Sequence, residues 1–129
     1  MHGNRVIYQR LVPNEMPNPH AKPGQMRPID VVVDDTLREG HALGVADLLK
    51  IGRPQIVAGW RMPNAEKKVG IRIYVPQDAG GTKWTTHVID DNTLACEDLK
   101  IADLDGDGRL DIVASGRSTH NLVIYWNRP

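Results

Sequence analysis

A single cysteine, no net charge and no long apolar run set the first limits on this chain. Cys96 has no second cysteine to pair with, so an intramolecular disulfide and the stapled scaffold of a small secreted domain are excluded. That fits production in the cytoplasm and leaves open an exported parent. Lys+Arg number 16 against 16 Asp+Glu, so no global field draws the chain to nucleic acid or to an anionic membrane. Any partner is recognised locally. No run approaches the roughly 18 apolar residues of a membrane-spanning helix, and the N-terminal MHGNRVIYQR lacks the apolar centre of a secretory signal. A glycine-rich phosphate loop, a serine elbow and a basic aromatic surface for nucleic acid are missing from the sequence too. What remains, 129 residues with 40% apolar and 25% charged side chains, is a globular chain with one core.

The strongest internal signal is a repeat at an offset of 56, which lays Asp47 on Asp103. In that register Val32, Asp34, Asp35, Leu43, Ala46, Asp47, Leu48, Gly52, Arg53, Ile56, Val57 and Ala58 all meet identical residues. A period of this size belongs to propellers and solenoids. The segments within each unit are short, β-branched and bounded by turn residues, which is strand chemistry. Strands are expected near 45–48, 54–59, 70–75 and 84–90, then near 99–104, 110–115 and 122–127. Four strands to a unit make a propeller blade. The pairs Ile7-Tyr8, Ile73-Tyr74 and Ile124-Tyr125 recur at the third-strand position. Residues 5–10 and 29–34 therefore read as the third and fourth strands of a preceding blade. The five prolines of 13–28 forbid regular pairing and make that stretch a loop. The expected division is 1–35, the outer strands of a preceding blade with a Pro-rich loop; 36–91, a first blade; and 92–129, a second blade without its fourth strand.

The run Ala-Asp-Leu-Asp-Gly-Asp-Gly-Arg-Leu-Asp ending at Asp111 sets carboxylates at alternate positions, with Gly106 and Gly108 allowing a tight curl. Converging hard oxygens are what Ca²⁺ needs to replace its hydration shell. The start is EF-hand-like, but Ala114 stands where an EF-hand needs its twelfth-position Glu, and strands flank the loop. With Asp111 followed by Ile112-Val113-Ala114, the run resembles the FG-GAP or VCBS blade motif, a likeness covering about residues 29–127. That resemblance implies an all-β propeller of four-stranded antiparallel blades. It also implies calcium ligation by Asp103, Asp105, Asp107 and Asp111, with the Arg109 carbonyl as a further ligand. In the first repeat Leu49, Ile51 and Gln55 replace three of the acids; that loop is expected to be a metal-free turn in which Leu49 and Ile51 pack.

Propellers place function where the segments leading into the innermost strands converge. Those segments carry His41 and, at the equivalent repeat position, Glu97. A His and a carboxylate on adjacent blades can share one divalent metal or act as acid and base. Trp60-Arg61 and the turn from Arg117 to His120 follow the second strands. Together these segments resemble, with lower specificity, the propeller part of aldos-2-ulose dehydratase-like proteins, metal-containing lyases of keto-sugars. One expectation is thus a catalytic site of His41, Glu97, His120 and Arg61 around Zn²⁺ or another divalent ion, acting on a keto-sugar or a small ester. The other is a non-catalytic, calcium-stabilised propeller that binds carbohydrate or protein. Cys96, beside Glu97 and Asp98, has its thiolate disfavoured and is no nucleophile.

Two inner strands cannot close a ring of about 4–8 blades. The expected partner is therefore the chain itself, in a head-to-tail trimer or tetramer in which residues 29–34 of one copy complete the open blade of the next.

Overall fold

The computed structural model describes residues 3–15, 20 and 22–129, and these are all-β, with nine strands in three antiparallel sheets. Strands β1 (Val6–Pro13) and β2 (Met26–Asp34) form a pair; β3 (Gly40–Ala46), β4 (Gln55–Trp60), β5 (Gly70–Pro76) and β6 (Trp84–Asp91) form a sheet in sequence order; β7 (Cys96–Ala102), β8 (Asp111–Gly116) and β9 (Asn121–Tyr125) form the third. Burial follows position. β4 is buried at all six residues, as befits a strand covered on both faces. β2 alternates between half-buried and exposed along 29–33, with one face on the core.

The central sheet is the filling of the stack. Through one face Val57, Ile71 and Ile73 meet Cys96, Leu99, Ile112 and Ala114 of the third sheet. Through the other, Ile56, Ala58, Trp60 and Tyr74 meet Val6 and Val33 of the β1–β2 pair. Close approach on the first face depends on Gly59, where a Cβ would lie 2.3 Å from Cys96 Sγ, and on Gly44, where it would lie 2.6 Å from Ile101.

The same polar latch joins each sheet to the next. Asp34, at the end of β2, accepts hydrogen bonds from the Tyr74 hydroxyl (2.7 Å), Arg72 (2.8 Å), and the Thr36 amide and hydroxyl (2.8 and 2.7 Å). Asp90, its repeat equivalent near the end of β6, accepts from the Tyr125 hydroxyl (2.8 Å), the Thr93 and Leu94 amides (2.9 and 3.0 Å) and the Thr93 hydroxyl. Burial pushes Asp34 toward the neutral form, but Tyr74, Thr36 and Arg72 outweigh it and hold its carboxyl below the ordinary value. Burial, then the hydrogen bond to Asp34, pushes the Tyr74 hydroxyl upward.

Four details differ from the sequence reading. The inner strands start at Gly40 and Cys96, so His41 and Glu97 lie on strands and not in the segments before them. Ile7-Tyr8 is out of step with Ile73-Tyr74. The bulge after Val6 matches the bulge after Ile71, with Asp34 and Asp90 as partners, so Tyr8 falls on the position of Ile73. Accordingly Tyr8 packs on Trp84 with ring centroids 5.5 Å apart. The β1–β2 ladder runs on through Leu11↔Pro28 and Pro13↔Met26; a two-stranded ribbon is all edge, where a missing N–H is tolerated. Of the Pro-rich stretch, residues 16–19 and 21 lie outside the described residues. Leu49 and Ile51 are 48% and 45% exposed, not packed, and Leu48 is the loop's buried residue.

Tyr74→Phe removes one of four donors to a buried carboxylate and is expected to lower stability by about 1–2 kcal/mol at neutral pH. Because the fold depresses the Asp34 pKa, this stabilisation is present above the unfolded value of 3.8 and drains as pH falls below it. The gap in urea midpoint between wild type and Tyr74→Phe should therefore narrow in acid. A gap that stays constant would show that Asp34 is not the hydroxyl's working partner.

Candidate functional site

Two polar clusters sit at opposite ends of the inner strands. At the β7–β8 connection the chain curls through Gly106 and Gly108, with φ of 79° and 80°, values open to glycine without a Cβ penalty. The Asp103 carboxylate accepts the amides of Gly106 (2.7 Å) and Gly108 (2.9 Å), and Asp105 that of Asp107 (3.2 Å). Asp111, buried at the head of β8, accepts from Leu104 (3.1 Å) and from Asn127 (2.9 Å). Carboxylate oxygens of Asp103, Asp105 and Asp111 come within 4.8 Å of one another. Calcium–oxygen distances of about 2.3–2.6 Å place oxygens on opposite sides of an ion roughly 5 Å apart, so this donor set fits Ca²⁺. The Asp107 carboxylate accepts the Arg109 amide at 2.8 Å. From the C-terminal tail, the Arg128 guanidinium bonds to Asp105 and lies 3.8 Å from Asp107.

The β3–β4 connection solves the same problem without the acids. Asp47 accepts the amides of Ile51 (3.0 Å) and Gly52 (2.8 Å). Gln55, fully buried at the Asp111 position, donates from Nε2 to Asp47 (3.3 Å) and to the Arg53 carbonyl (2.5 Å), while its Oε1 accepts from Leu49 (2.9 Å). An amide nitrogen thus supplies the positive end against Asp47.

At the other end, His41 and Glu97 are bulge residues: each ladder skips them, between Gly40 and Ala42 and between Cys96 and Asp98. Bulges re-aim side chains and are over-represented beside functional sites. His41 Nδ1 lies 2.6 Å from the Glu97 carbonyl and so carries the proton toward it, and Nε2 lies 3.7 Å from the Glu97 carboxylate. Arg61 grips that carboxylate through Nη1 at 2.7 and 3.0 Å and reaches Glu39 through Nε at 3.1 Å. Arg117 stands 3.7 Å from Glu97. The hydrogen bond to Arg61 is the main reason the Glu97 carboxyl is held below its usual range.

Glu39, Arg61, Met62, Arg117, Ser118 and His120 line an open cleft of about 370 Å³. Glu39 and His120 hold φ of 50° and 49°, sparsely populated for non-glycine residues and a recurrent feature of binding sites. The turn carrying Arg117 and His120 is pinned by Thr119, whose hydroxyl accepts the Ala95 amide (3.2 Å), and by Asn121, which donates to the Thr93 carbonyl (3.0 Å).

The structure therefore joins His41, Glu97 and Arg61, and places His120 with Arg61 and Glu39 in the lining of one cleft. Among the described residues the three ligand-type side chains that converge are Asp103, Asp105 and Asp111; His41, Glu97 and His120 form no such group. His41 Nε2 and the Glu97 carboxylate are 3.7 Å apart, and Arg61 shares that carboxylate. Glu39 and Arg117 are the members that the sequence reading gave no role, although both lie in the segments it marked. Cys96 is buried, and burial with the charges of Asp98, Asp90 and Glu97 pushes its thiol up to about 12, in keeping with a structural role. Compared with known proteins, the chain matches no family model, no curated protein and no solved structure. No described helix is long and apolar enough to cross a membrane.

Arg61→Gln is expected to release Glu97, raising its pKa toward the ordinary value of 4.5, as followed by carboxyl carbon shifts in an NMR titration. An unchanged titration would mean that Arg61 does not govern this carboxylate in solution.

Proposed function

We propose that this chain is a calcium-stabilised β-propeller module of the FG-GAP or VCBS type, whose cleft at the strand ends opposite the acidic loop binds a hydroxyl-rich ligand such as a carbohydrate. The observation that carries the binding reading is the Arg61–Glu97 pair, in which Arg61 Nη1 meets both carboxylate oxygens at 3.0 and 2.7 Å. A guanidinium and carboxylates locked to one another present fixed donors and acceptors, and sugar hydroxyls satisfy both kinds. Arg117, Ser118 and His120 add further polar groups on the same cleft. In the enzyme reading, a lyase or hydrolase, His41, Glu97 and His120 would hold one metal with Arg61 beside the Glu97 carboxylate.

Support for the calcium reading is the fit of the donor set. Asp103, Asp105 and Asp111 would hold the ion, with backbone carbonyls and water supplying the remaining ligands such an ion takes. Bound there, the ion would offset carboxylate repulsion and fix the β7–β8 curl. The propeller reading rests on three sheets stacked through repeated contacts, and ring closure by further blades is part of the proposal.

Calcium at about 100 times its dissociation constant adds roughly 2–3 kcal/mol to a fold that binds it and an unfolded chain that does not. Chelation should lower the melting temperature of the wild type and leave Asp105→Ala unmoved; a wild type indifferent to chelator contradicts the calcium reading. Elemental analysis separates the two functions, since the binding module carries calcium alone and the enzyme a transition metal as well. On a glycan array, Arg117→Ala and His120→Ala should lose signal while keeping the wild-type melting temperature. Metal-dependent turnover of a keto-sugar or ester, abolished by His41→Ala, would overturn the binding reading in favour of the enzyme.

A further inference from the structure

Of the three carboxylates that converge at the β7–β8 connection, one is held by a cationic side chain. Asp105 is engaged at both oxygens: Oδ1 accepts the Asp107 amide at 3.2 Å, and Oδ2 takes the Arg128 guanidinium. Among the described residues, Asp103 and Asp111 accept from backbone amides alone.

The segment that carries Arg128 is anchored beside the loop. Asn127 donates its amide to Asp111 (2.9 Å) and its side-chain Nδ2 to the Leu48 carbonyl of the first-repeat loop (2.8 Å). The Arg128 guanidinium also lies over the Trp126 ring, 4.9 Å from its centroid. Its side chain is 55% exposed, so the backbone is fixed while the charged tip borders water.

The first repeat supplies the comparison. Tyr74 pairs with Ile56 as Tyr125 pairs with Ile112, which sets Pro76 and Gln77 at the positions of Asn127 and Arg128. Pro76 has no amide hydrogen to donate. Gln77 is neutral and bonds to the Val75 carbonyl (3.2 Å) and the Thr85 hydroxyl (2.9 Å), not to the loop of Asp47. Where the acids at Asp105, Asp107 and Asp111 give way to Leu49, Ile51 and Gln55, the cation and its amide anchor go with them.

We propose that Arg128 is a built-in competitor for the acidic loop: its guanidinium gives up Asp105 when a divalent cation binds Asp103, Asp105 and Asp111, and this exchange sets the cation affinity of the loop. The inference rests on the calcium reading proposed above. A guanidinium on Asp105 Oδ2 and a divalent ion on the same carboxylate are like charges; roughly 5 Å apart they repel enough to cost about tenfold in affinity even at the dielectric of water. The anchors of Asn127 leave the exchange to the side chain, with Trp126 as the surface on which the guanidinium stays.

The test is calorimetric titration of the full chain with calcium, for the wild type and Arg128→Gln, together with the Arg128 Nε–H signal of the wild type in nitrogen-resolved NMR. Arg128→Gln should bind calcium at least about tenfold more tightly, and calcium should shift the Nε–H signal and speed its exchange with water. Binding by Arg128→Gln alone would support the proposal as well. Equal or weaker binding by Arg128→Gln, or an Nε–H signal that ignores calcium at saturation, overturns the proposal and leaves the calcium reading standing. Binding by neither protein overturns both.

Discussion

A buried aspartate accepting the hydroxyl of a tyrosine on the next sheet is the interaction on which the rest of this structure depends. Each sheet alone is a small, two-faced object that cannot bury enough apolar surface to be stable. Stacking solves this only if successive sheets meet in one register, and dispersion contacts between flat faces specify register weakly. The Asp34–Tyr74 and Asp90–Tyr125 bonds specify it strongly, because sliding one sheet over the other would strand a carboxylate and a phenol away from water. Both aspartates are held by threonine and backbone donors of the segment that follows their strand. The tyrosine therefore meets an acceptor already in place.

From that register the ends of the strands acquire their chemistry. At one end, the third sheet curls three carboxylates around a volume suited to a hard cation, while the central sheet fills the same turn with the amide of Gln55. At the other, equivalent bulges bring His41 and Glu97 side by side. The Arg61 side chain, rising from the end of β4, then spans from Glu39 to Glu97 and ties the two sheets across the cleft. The offset that aligns the latches also aligns these groups, so the cleft is a consequence of stacking and needs no separate scaffold.

Much of this was legible in the sequence because a repeat makes each residue testify twice. The identity of Asp34 with Asp90, the tyrosines at 74 and 125, and the acids from Asp103 to Asp111 were all visible. So was the loss of acids at Leu49, Ile51 and Gln55. What escaped were features set by backbone geometry. A bulge adds one residue to one strand, and nothing in the side chains of Gly40-His41-Ala42 announces it; the inner strands were accordingly started too late. The same kind of insertion put Ile7-Tyr8 out of step, since a shift of one position exchanges the two faces of a strand. The ion pair of Arg61 with Glu97 also depends on that geometry.

The latch is tested most directly by a double-mutant cycle on Asp90 and Tyr125, read by urea unfolding of the wild type, Asp90→Asn, Tyr125→Phe and the double variant. Groups in direct contact couple by about 0.5–3 kcal/mol, and the inter-sheet latch predicts a coupling of at least about 1 kcal/mol within that range. Strictly additive losses would contradict it, because they would mean that the two sheets are held in register by something other than this bond.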